Sequence, residues 1–213
     1  KGVCIVAEVN PQATYKRHQQ AWVDEVYKDL DKLLDRAITA RENKEAVSIA
    51  YDGNIVDLWE KVVERNIHIE IGSDQTSLHN PWAGGYYPVG MSYEAANEMM
   101  VNNPEQFKKE VQKTLVRHTN AINTLSRRGM YFFDYGNAFL LEASRAGSDI
   151  LNEKGDFKYP SYVQDIMGPM CFDYGFGPFR WVCASNEAKD LAITDRIACE
   201  VLEKLIQDSP AEI

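Results

Sequence analysis

Short apolar runs alternate with amphipathic stretches along the chain, and this alternation predicts strands that alternate with helices. The runs Cys4–Val9, Ala46–Tyr51 and Ile67–Ile71 have the length and composition of buried strands. Apolar residues recur with helical spacing through Ala21–Asn43 and Ile55–Arg65, and charged residues fill the other positions. The first half of the chain therefore has the order of elements that is typical of an α/β protein.

The second half continues the alternation after Gly72–Gly90, a long segment that is rich in glycine and proline and has no helical periodicity. Asn103 and Pro104 have the residue types that begin a helix, and Gly129 ends it. The remaining predicted elements are a strand over Met130–Phe133, a helix over Ala138–Arg145, an irregular aromatic segment over Leu151–Gly177, a strand over Phe179–Ala184 and a helix over Asn186–Gln207. Together the elements predict an α/β fold with a doubly wound, mostly parallel sheet and flanking helices, divided near Leu151 into parts 1–150 and 151–213.

Composition and charge exclude several classes of protein. The 213 residues carry a formal net charge of −9, which disfavours binding to nucleic acid or to an anionic membrane surface. No apolar run reaches the roughly 18 residues of a transmembrane helix, and the first residues lack the layout of a signal peptide. The four cysteines form no C-x-x-C pair, so we expect neither a zinc site nor a disulfide framework, and we expect a cytoplasmic location.

Polar residues follow the predicted strands, where an open parallel sheet binds its ligands. Glu8 ends the first strand and matches the acid that accepts hydrogen bonds from the adenosine ribose in dinucleotide-binding folds. An acid in this place is also a common solvated loop residue. The glycine-rich fingerprint that should precede it is absent. Either the chain is not a dinucleotide domain, or it starts after that loop.

The segment Ser73–His79 places hydroxyls, an amide, an acid and a histidine at one strand end. The hydroxyls and the amide are neutral donors that can hold phosphate or ribose. Alternatively, the serine and threonine side chains can cap their own turn. Ser77 and His79 do not indicate a hydrolase, because G-x-S-x-G is missing and no acid partner is evident. The other histidines lack partners at metal-ligand spacing, so no metal is expected.

Arg180 lies among aromatic residues beside the turn Gly175–Pro178. A guanidinium in an apolar wall suits a planar carboxylate that it binds through two hydrogen bonds. The alternative is a structural cation–π contact with Trp181 or Phe179. The sequence alone leaves both interpretations open.

Several motifs, in order along the chain, resemble the urocanase (urocanate hydratase) family: EVNP, AYDGN, SDQTSLH, GYYPVG, FDYGN, YPSYVQDIMGPM and GPFRWV. The segment FFDYGNAFLLEASRAG, which contains the FDYGN motif, and the segment YPSYVQDIMG are similar to the eukaryotic type of urocanase. The resemblance implies a Rossmann-like NAD-binding domain inserted into a core domain, with 1–150 as most of the former and 151–213 as its remainder and the return to the core. It implies a cytoplasmic homodimer in histidine breakdown. It also implies hydration of urocanate to imidazolone propionate, with NAD+ as an electrophile that forms an adduct with the imidazole ring.

The resemblance also implies roles for individual residues. Glu8 should contact the adenosine ribose, and Arg180 should hold the urocanate carboxylate. The loop between Pro81 and Tyr87 is one residue longer than in bacterial urocanases, so the choice between Tyr86 and Tyr87 stays open. The other residues implied to contact the cofactor are Gly53, Asn54, Ile55, Gln75, Thr76, Ser77, Leu78, His79, Tyr86, Tyr87 and Tyr135.

Parts of the family pattern are absent from the chain. The resemblance places the family's first strand and phosphate loop before Lys1 and its active-site cysteine after Ile213, so we expect no catalytic residue here and no activity from this chain alone. Ala13 stands where the family has an arginine. The alternative is a non-catalytic α/β module that binds a nucleotide or a protein partner. A dehydrogenase is disfavoured because no base for hydride transfer is recognisable.

Overall fold

Five strands and eight α-helices form the described part of the chain, which covers residues 2–175, 177 and 183–208 of a computed structural model. The strands are β1 (Val3–Glu8), β2 (Glu25–Tyr27), β3 (Val47–Asp52), β4 (Ile71–Asp74) and β5 (Tyr131–Asp134). The helices are α1 (Pro11–Gln19), α2 (Leu30–Glu42), α3 (Ile55–Glu64), α4 (Tyr93–Asn102), α5 (Pro104–Arg127), α6 (Phe139–Arg145), α7 (Gly168–Met170) and α8 (Ala188–Asp208). The chain divides into two compact units, Lys1–Met170 and Cys171–Ile213.

The strands confirm the predicted α/β fold with parallel pairing. β3 lies between β1 and β2 and pairs in parallel with both, and β4 pairs in parallel with β5. The five strands thus form two sheets, of three and two strands, instead of one continuous sheet. One edge of β1 and one edge of β4 carry no strand from the described part of the chain.

The predicted helix Ala21–Asn43 is wrong in its first third, where the structure has β2 and then α2. Asp29 separates the two elements, because its carboxylate accepts hydrogen bonds from the backbone N–H groups of Asp31 and Lys32 at 3.0 and 3.1 Å and so caps α2. β2 gains the backbone hydrogen bonds of pairing with β3. Pairing with a neighbouring strand therefore overrides the helical spacing of these apolar residues.

The third predicted strand, Ile67–Ile71, also differs from the structure, in which β4 begins at Ile71. Backbone pairing between β4 and β5 starts only where the two strands lie side by side, with the Tyr131 N–H donating to the Glu70 carbonyl at 2.9 Å. Three α-helices were not predicted, and one of them, the three-residue α7, lies in the segment that was predicted to be irregular. α1 follows Asn10, and α4 follows Ser92, and each of these residues caps its helix with its side chain. The predicted strand Phe179–Ala184 lies mostly outside the described residues.

α5 forms the centre of the core, as its apolar stripe predicts. Its inward side chains are almost completely buried: Phe107, Val111, Leu115, Ile122 and Leu125. Asn103 caps the helix by accepting a hydrogen bond from the Gln106 N–H at 3.2 Å. α5 packs against α3, and Arg117 and Glu60 join the two helices at 2.6 Å. This helix pair supports the loop that follows β4.

The second unit contains α8, whose apolar side chains are largely exposed: Leu191, Ile193, Ile197, Val201, Leu202, Leu205 and Ile206. Its position, Ala188–Asp208, agrees with the predicted helix. None of the helices in the described ranges combines the length and the hydropathy that a bilayer crossing requires.

Candidate functional site

Acidic residues end four of the five strands, and they are Glu8, Asp52, Asp74 and Asp134. Parallel pairing sets Glu8 beside Asp52, and Asp74 beside Asp134. Lys28 lies 3.2 Å from the Asp52 carboxylate and forms an ion pair with it. The carboxyl ends of both sheets are therefore acidic, and this is the side on which parallel sheets bind ligands.

A cavity of about 740 Å³ lies between the two sheets. β1 lines one side along its whole length, and the residues from Ile69 to Ser77 line the other. The first residues of α3 and the loop residues Gly84–Tyr87 complete the wall. The cavity brings together nine of the predicted site residues: Glu8, Gly53, Asn54, Ile55, Gln75, Thr76, Ser77, Tyr86 and Tyr87.

The remaining predicted residues do not line this cavity. Leu78 is 1% exposed, and its side chain packs in the hydrophobic core. His79 is exposed, and Tyr135 is half exposed. Arg180 lies outside the described residues.

Glu8 reaches the cavity at the end of β1. Its Oε1 atom accepts a hydrogen bond from the Asn10 N–H at 2.9 Å, which fixes the carboxylate at the start of the turn. Its Oε2 atom accepts no hydrogen bond from the described residues. The carboxylate is thus oriented and still has an oxygen that can accept ribose hydroxyls.

Asn54 uses both ends of its amide within the protein. Its Oδ1 atom caps α3 by accepting from the Val56 N–H at 2.9 Å, and its Nδ2 atom donates to the Tyr87 carbonyl at 2.9 Å. The adjacent Gly53 donates its N–H to the Glu8 carbonyl at 3.0 Å. Asn54 therefore joins the start of α3 to the loop across the cavity, and its amide is already committed to these contacts.

The loop after β4 folds back tightly on itself. A Cβ atom on Gly85 would overlap the backbone carbonyl oxygens of Ser77 and Asn80, so only glycine fits there. At the other end of the loop, the Asp74 carboxylate accepts from the Thr76 hydroxyl at 2.7 Å and from the Thr76 N–H at 3.2 Å. The conformation of the loop is therefore set at both ends by contacts among residues of this segment.

Tyr86 and Tyr87 differ in their surroundings. Tyr86 is 2% exposed, and its hydroxyl makes a 2.9 Å hydrogen bond with Nδ1 of His118 on α5. The Tyr87 hydroxyl donates to Asn97 Oδ1 at 3.0 Å, and its ring packs on Tyr93. Burial raises the pKa of Tyr87 to about 12, so its hydroxyl stays protonated at neutral pH. Tyr87 is the less buried of the two, and both line the cavity.

Tyr135 belongs to an aromatic group outside the cavity. Its ring stacks on Tyr162 with centroids 5.5 Å apart and an interplanar angle of 9°. The Tyr135 N–H donates to the Asp74 carbonyl at 3.2 Å, which connects the turn after β5 to the end of β4. The Tyr135 ring is therefore held in place although it is half exposed.

Three residues that sequence reasoning missed hold the predicted ones. Asp74 anchors the loop after β4, Asn137 binds Asp74 from the turn after β5, and His118 binds Tyr86 from α5. Their signals were weak, since an acid at a strand end and an asparagine in a turn are common in any α/β protein. Asp74 and Thr76 are two residues apart, but Tyr86 and His118 are 32 residues apart and Asp74 and Asn137 are 63 residues apart, so no local pattern joins these last two pairs.

Comparison with known families gives two matches along the chain. Residues 1–166 match the family described as "Urocanase Rossmann-like domain". Residues 169–210 match the family described as "Urocanase C-terminal domain". The first match includes all the cavity residues described above.

Three curated relatives are similar over almost the whole chain. The chain is 61% identical over 207 residues to the "Probable urocanate hydratase" of Dictyostelium discoideum. It is 51% identical over 212 residues to the "Urocanate hydratase" of Mus musculus, and 50% identical over 213 residues to that of Homo sapiens. The alignments cover 95%, 96% and 96% of the chain but 30%, 31% and 31% of these relatives, so the chain spans about 30% of their length. The chain belongs to the urocanase family.

Proposed function

We propose that the chain is the NAD-binding segment of a urocanate hydratase, which adds water to urocanate to give imidazolone propionate in histidine breakdown. The observation that carries the proposal is the gathering of nine predicted cofactor residues around one cavity at the carboxyl ends of parallel strands. The curated relatives are named as urocanate hydratases, which supports hydration of urocanate as the reaction. The free thiols Cys4, Cys171, Cys183 and Cys199 support a cytoplasmic enzyme. A homodimer is proposed from the resemblance alone.

The cavity residues fit the ribose of NAD+ better than its diphosphate. Glu8 offers an oriented carboxylate for the ribose hydroxyls, and Ser77 and Gln75 offer neutral polar groups. No lysine, arginine or histidine is among the described residues that line the cavity. The diphosphate therefore needs groups beyond this lining, as the phosphate loop of the family would supply. When bound, NAD+ supplies an electrophilic ring carbon, and the role of this segment is to hold and orient it.

Arg180 is proposed to bind the urocanate carboxylate through its planar guanidinium. This assignment follows from the GPFRW motif and from the chemistry of the side chain. It gives the segment a substrate contact in addition to its cofactor contacts.

Replacing Glu8 with alanine should lower the affinity of the intact enzyme for NAD+ by roughly 1.5–3 kcal/mol, the usual value of hydrogen bonds to a charged group. The same carboxylate should repel the 2′-phosphate of NADP+, so the wild-type enzyme should prefer NAD+. Calorimetric titration of both cofactors against wild type and Glu8→Ala measures both effects.

Glu70→Ala is a matched control for the Glu8 substitution. Glu70 also borders the cavity, but it precedes β4 and lies at the opposite end of the strand. Its removal changes the net charge equally and should leave NAD+ affinity unchanged. Equal affinity of wild type and Glu8→Ala for NAD+ would mean that Glu8 does not contact the ribose.

A further inference from the structure

Asp74 and Asn137 form a buried pair where β4 and β5 end. Asp74 is 2% exposed and Asn137 is 6% exposed. Asp74 directly precedes the predicted cofactor residues Gln75–His79, and Asn137 lies two residues after Tyr135. The pair therefore lies between two segments that contribute predicted cofactor contacts.

Three donors converge on a single carboxylate oxygen, Asp74 Oδ1. Asn137 Nδ2 donates to it at 2.7 Å, the Thr76 hydroxyl at 2.7 Å and the Thr76 N–H at 3.2 Å. The Asn137 amide also donates to the Thr76 carbonyl, and its Oδ1 accepts from the Phe139 N–H at 3.3 Å. Asn137 thus holds the first residues of one loop and the start of α6 at the same time.

Burying the Asp74 carboxylate costs free energy. Burial raises the pKa of Asp74, and the hydrogen bonds from Asn137 and Thr76 oppose that rise. In the described part of the chain the only donors to this carboxylate are neutral, and no cation pairs with it. Asparagine at position 74 could accept the same three hydrogen bonds through its own Oδ1 without a buried charge. The acceptor at position 74, and not its charge, is therefore the feature that Asn137 needs in order to join the two segments.

We propose that Asp74 and Asn137 are positioning residues, whose hydrogen bond fixes the Gln75–His79 loop relative to the turn that carries Tyr135. The proposal deepens the proposed NAD-binding function and rests on it. Neither side chain needs to touch the cofactor, because the pair acts through the two segments that it joins. Separating the pair should displace both segments and weaken cofactor binding.

The test uses the full-length urocanate hydratase that contains this segment, with the Kd for NAD+ measured by calorimetry. Asn137→Asp replaces the donor with an oxygen that faces Asp74 Oδ1 and the Thr76 carbonyl. We expect the Kd for NAD+ to rise about tenfold or more, because a hydrogen bond to a charged group is lost and repulsion replaces it. Asp74→Asn keeps an acceptor in place and should change the Kd much less.

Asn123→Asp is the matched control. Asn123 is also 6% exposed, and it donates to the Asp149 carbonyl at 2.8 Å and accepts from the Tyr159 hydroxyl at 2.6 Å, away from both segments. This variant should lose thermal stability as Asn137→Asp does but keep its affinity for NAD+. The double variant Asp74→Asn with Asn137→Asp restores one amide facing one carboxylate but leaves an oxygen facing the Thr76 carbonyl, so it should recover part of the affinity.

Each outcome supports or overturns the proposal. A rise in Kd that is largest for Asn137→Asp and smaller in the double variant supports a positioning role. Equal changes in Kd for Asn137→Asp and Asn123→Asp, or a lower Tm with no change in Kd, overturn it. If Asn137→Asp does not fold, the double variant and Asn137→Ser supply the same comparison. Absence of NAD+ binding by the wild-type enzyme would instead contradict the proposed function itself.

Discussion

Acidifying the protein from pH 7 to pH 4 should lower its free energy of unfolding by about 3 kcal/mol through His118 alone. This side chain is completely buried, and burial lowers its pKa from 6.5 to about 3. Between these two values the unfolded chain binds a proton that the folded protein excludes, so stability falls as the pH falls. Each pH unit in this window corresponds to about 1.4 kcal/mol.

Urea unfolding of wild type and His118→Asn between pH 7 and pH 4 measures the effect. Asparagine can keep an acceptor for the Tyr86 hydroxyl near the position of Nδ1 but does not titrate. Burial raises the pKa of Asp74 and Asp134, so these acids contribute with the opposite sign. They are present in both proteins, and the difference between the two curves therefore isolates His118.

The His118→Asn curve should be flatter than the wild-type curve by about 3 kcal/mol between pH 7 and pH 4. Parallel curves for His118→Asn and wild type would contradict the assignment of a neutral, buried His118.

The same imidazole connects stability to the candidate site. His118 holds the Tyr86 hydroxyl at 2.9 Å, and Thr114 on the same helix accepts the Val89 N–H at 3.1 Å. α5 thus supports the loop over the cavity through polar contacts as well as apolar ones. Protonation of His118 would charge an imidazole that packs 4.8 Å from the Phe139 ring, so the loop loses its support as the core loosens.

Elements whose signals are local could be predicted from the sequence. α3, α5 and β3 lie within one or two residues of their predicted bounds, because each combines a clear apolar pattern with a cap or a turn. The sequence predicts helix where β2 lies, because the apolar residues there fit both periods and only pairing with β3 decides between them. α1 is mostly polar, with Thr14 as its one buried residue, so its sequence carries no apolar stripe.

Site residues at the ends of parallel strands could be predicted from the sequence. Site residues whose position depends on contacts with distant helices could not. Glu8 and Gly53 follow strands, and parallel pairing alone brings strand ends together. The distinction between Tyr86 and Tyr87 depends on His118 and Asn97, two residues on helices that pack against the loop. Which of the two rings is buried could not be predicted from local sequence, because both tyrosines lie in the same irregular segment.

The isolated chain is expected to show no hydration of urocanate when NAD+ is added. The described residues that line its cavity include no lysine, arginine or histidine that could balance the charge of the NAD+ diphosphate. Three carboxylates, those of Glu8, Glu70 and Asp74, border the cavity, and uncompensated negative charge disfavours the NAD+ diphosphate. The resemblance also places the family's active-site cysteine outside the four cysteines of this chain.

The loss of urocanate absorbance in the presence of NAD+ measures this prediction directly. A full-length relative, assayed at the same enzyme and cofactor concentrations, is the positive control, and the chain without NAD+ is the blank. Turnover by the isolated chain on the order of 10 per second, an ordinary enzymatic rate, would contradict the prediction. Such a rate would mean that the residues of this segment alone bind NAD+ and activate water, and the cavity between β1 and β4 would then be a complete active site.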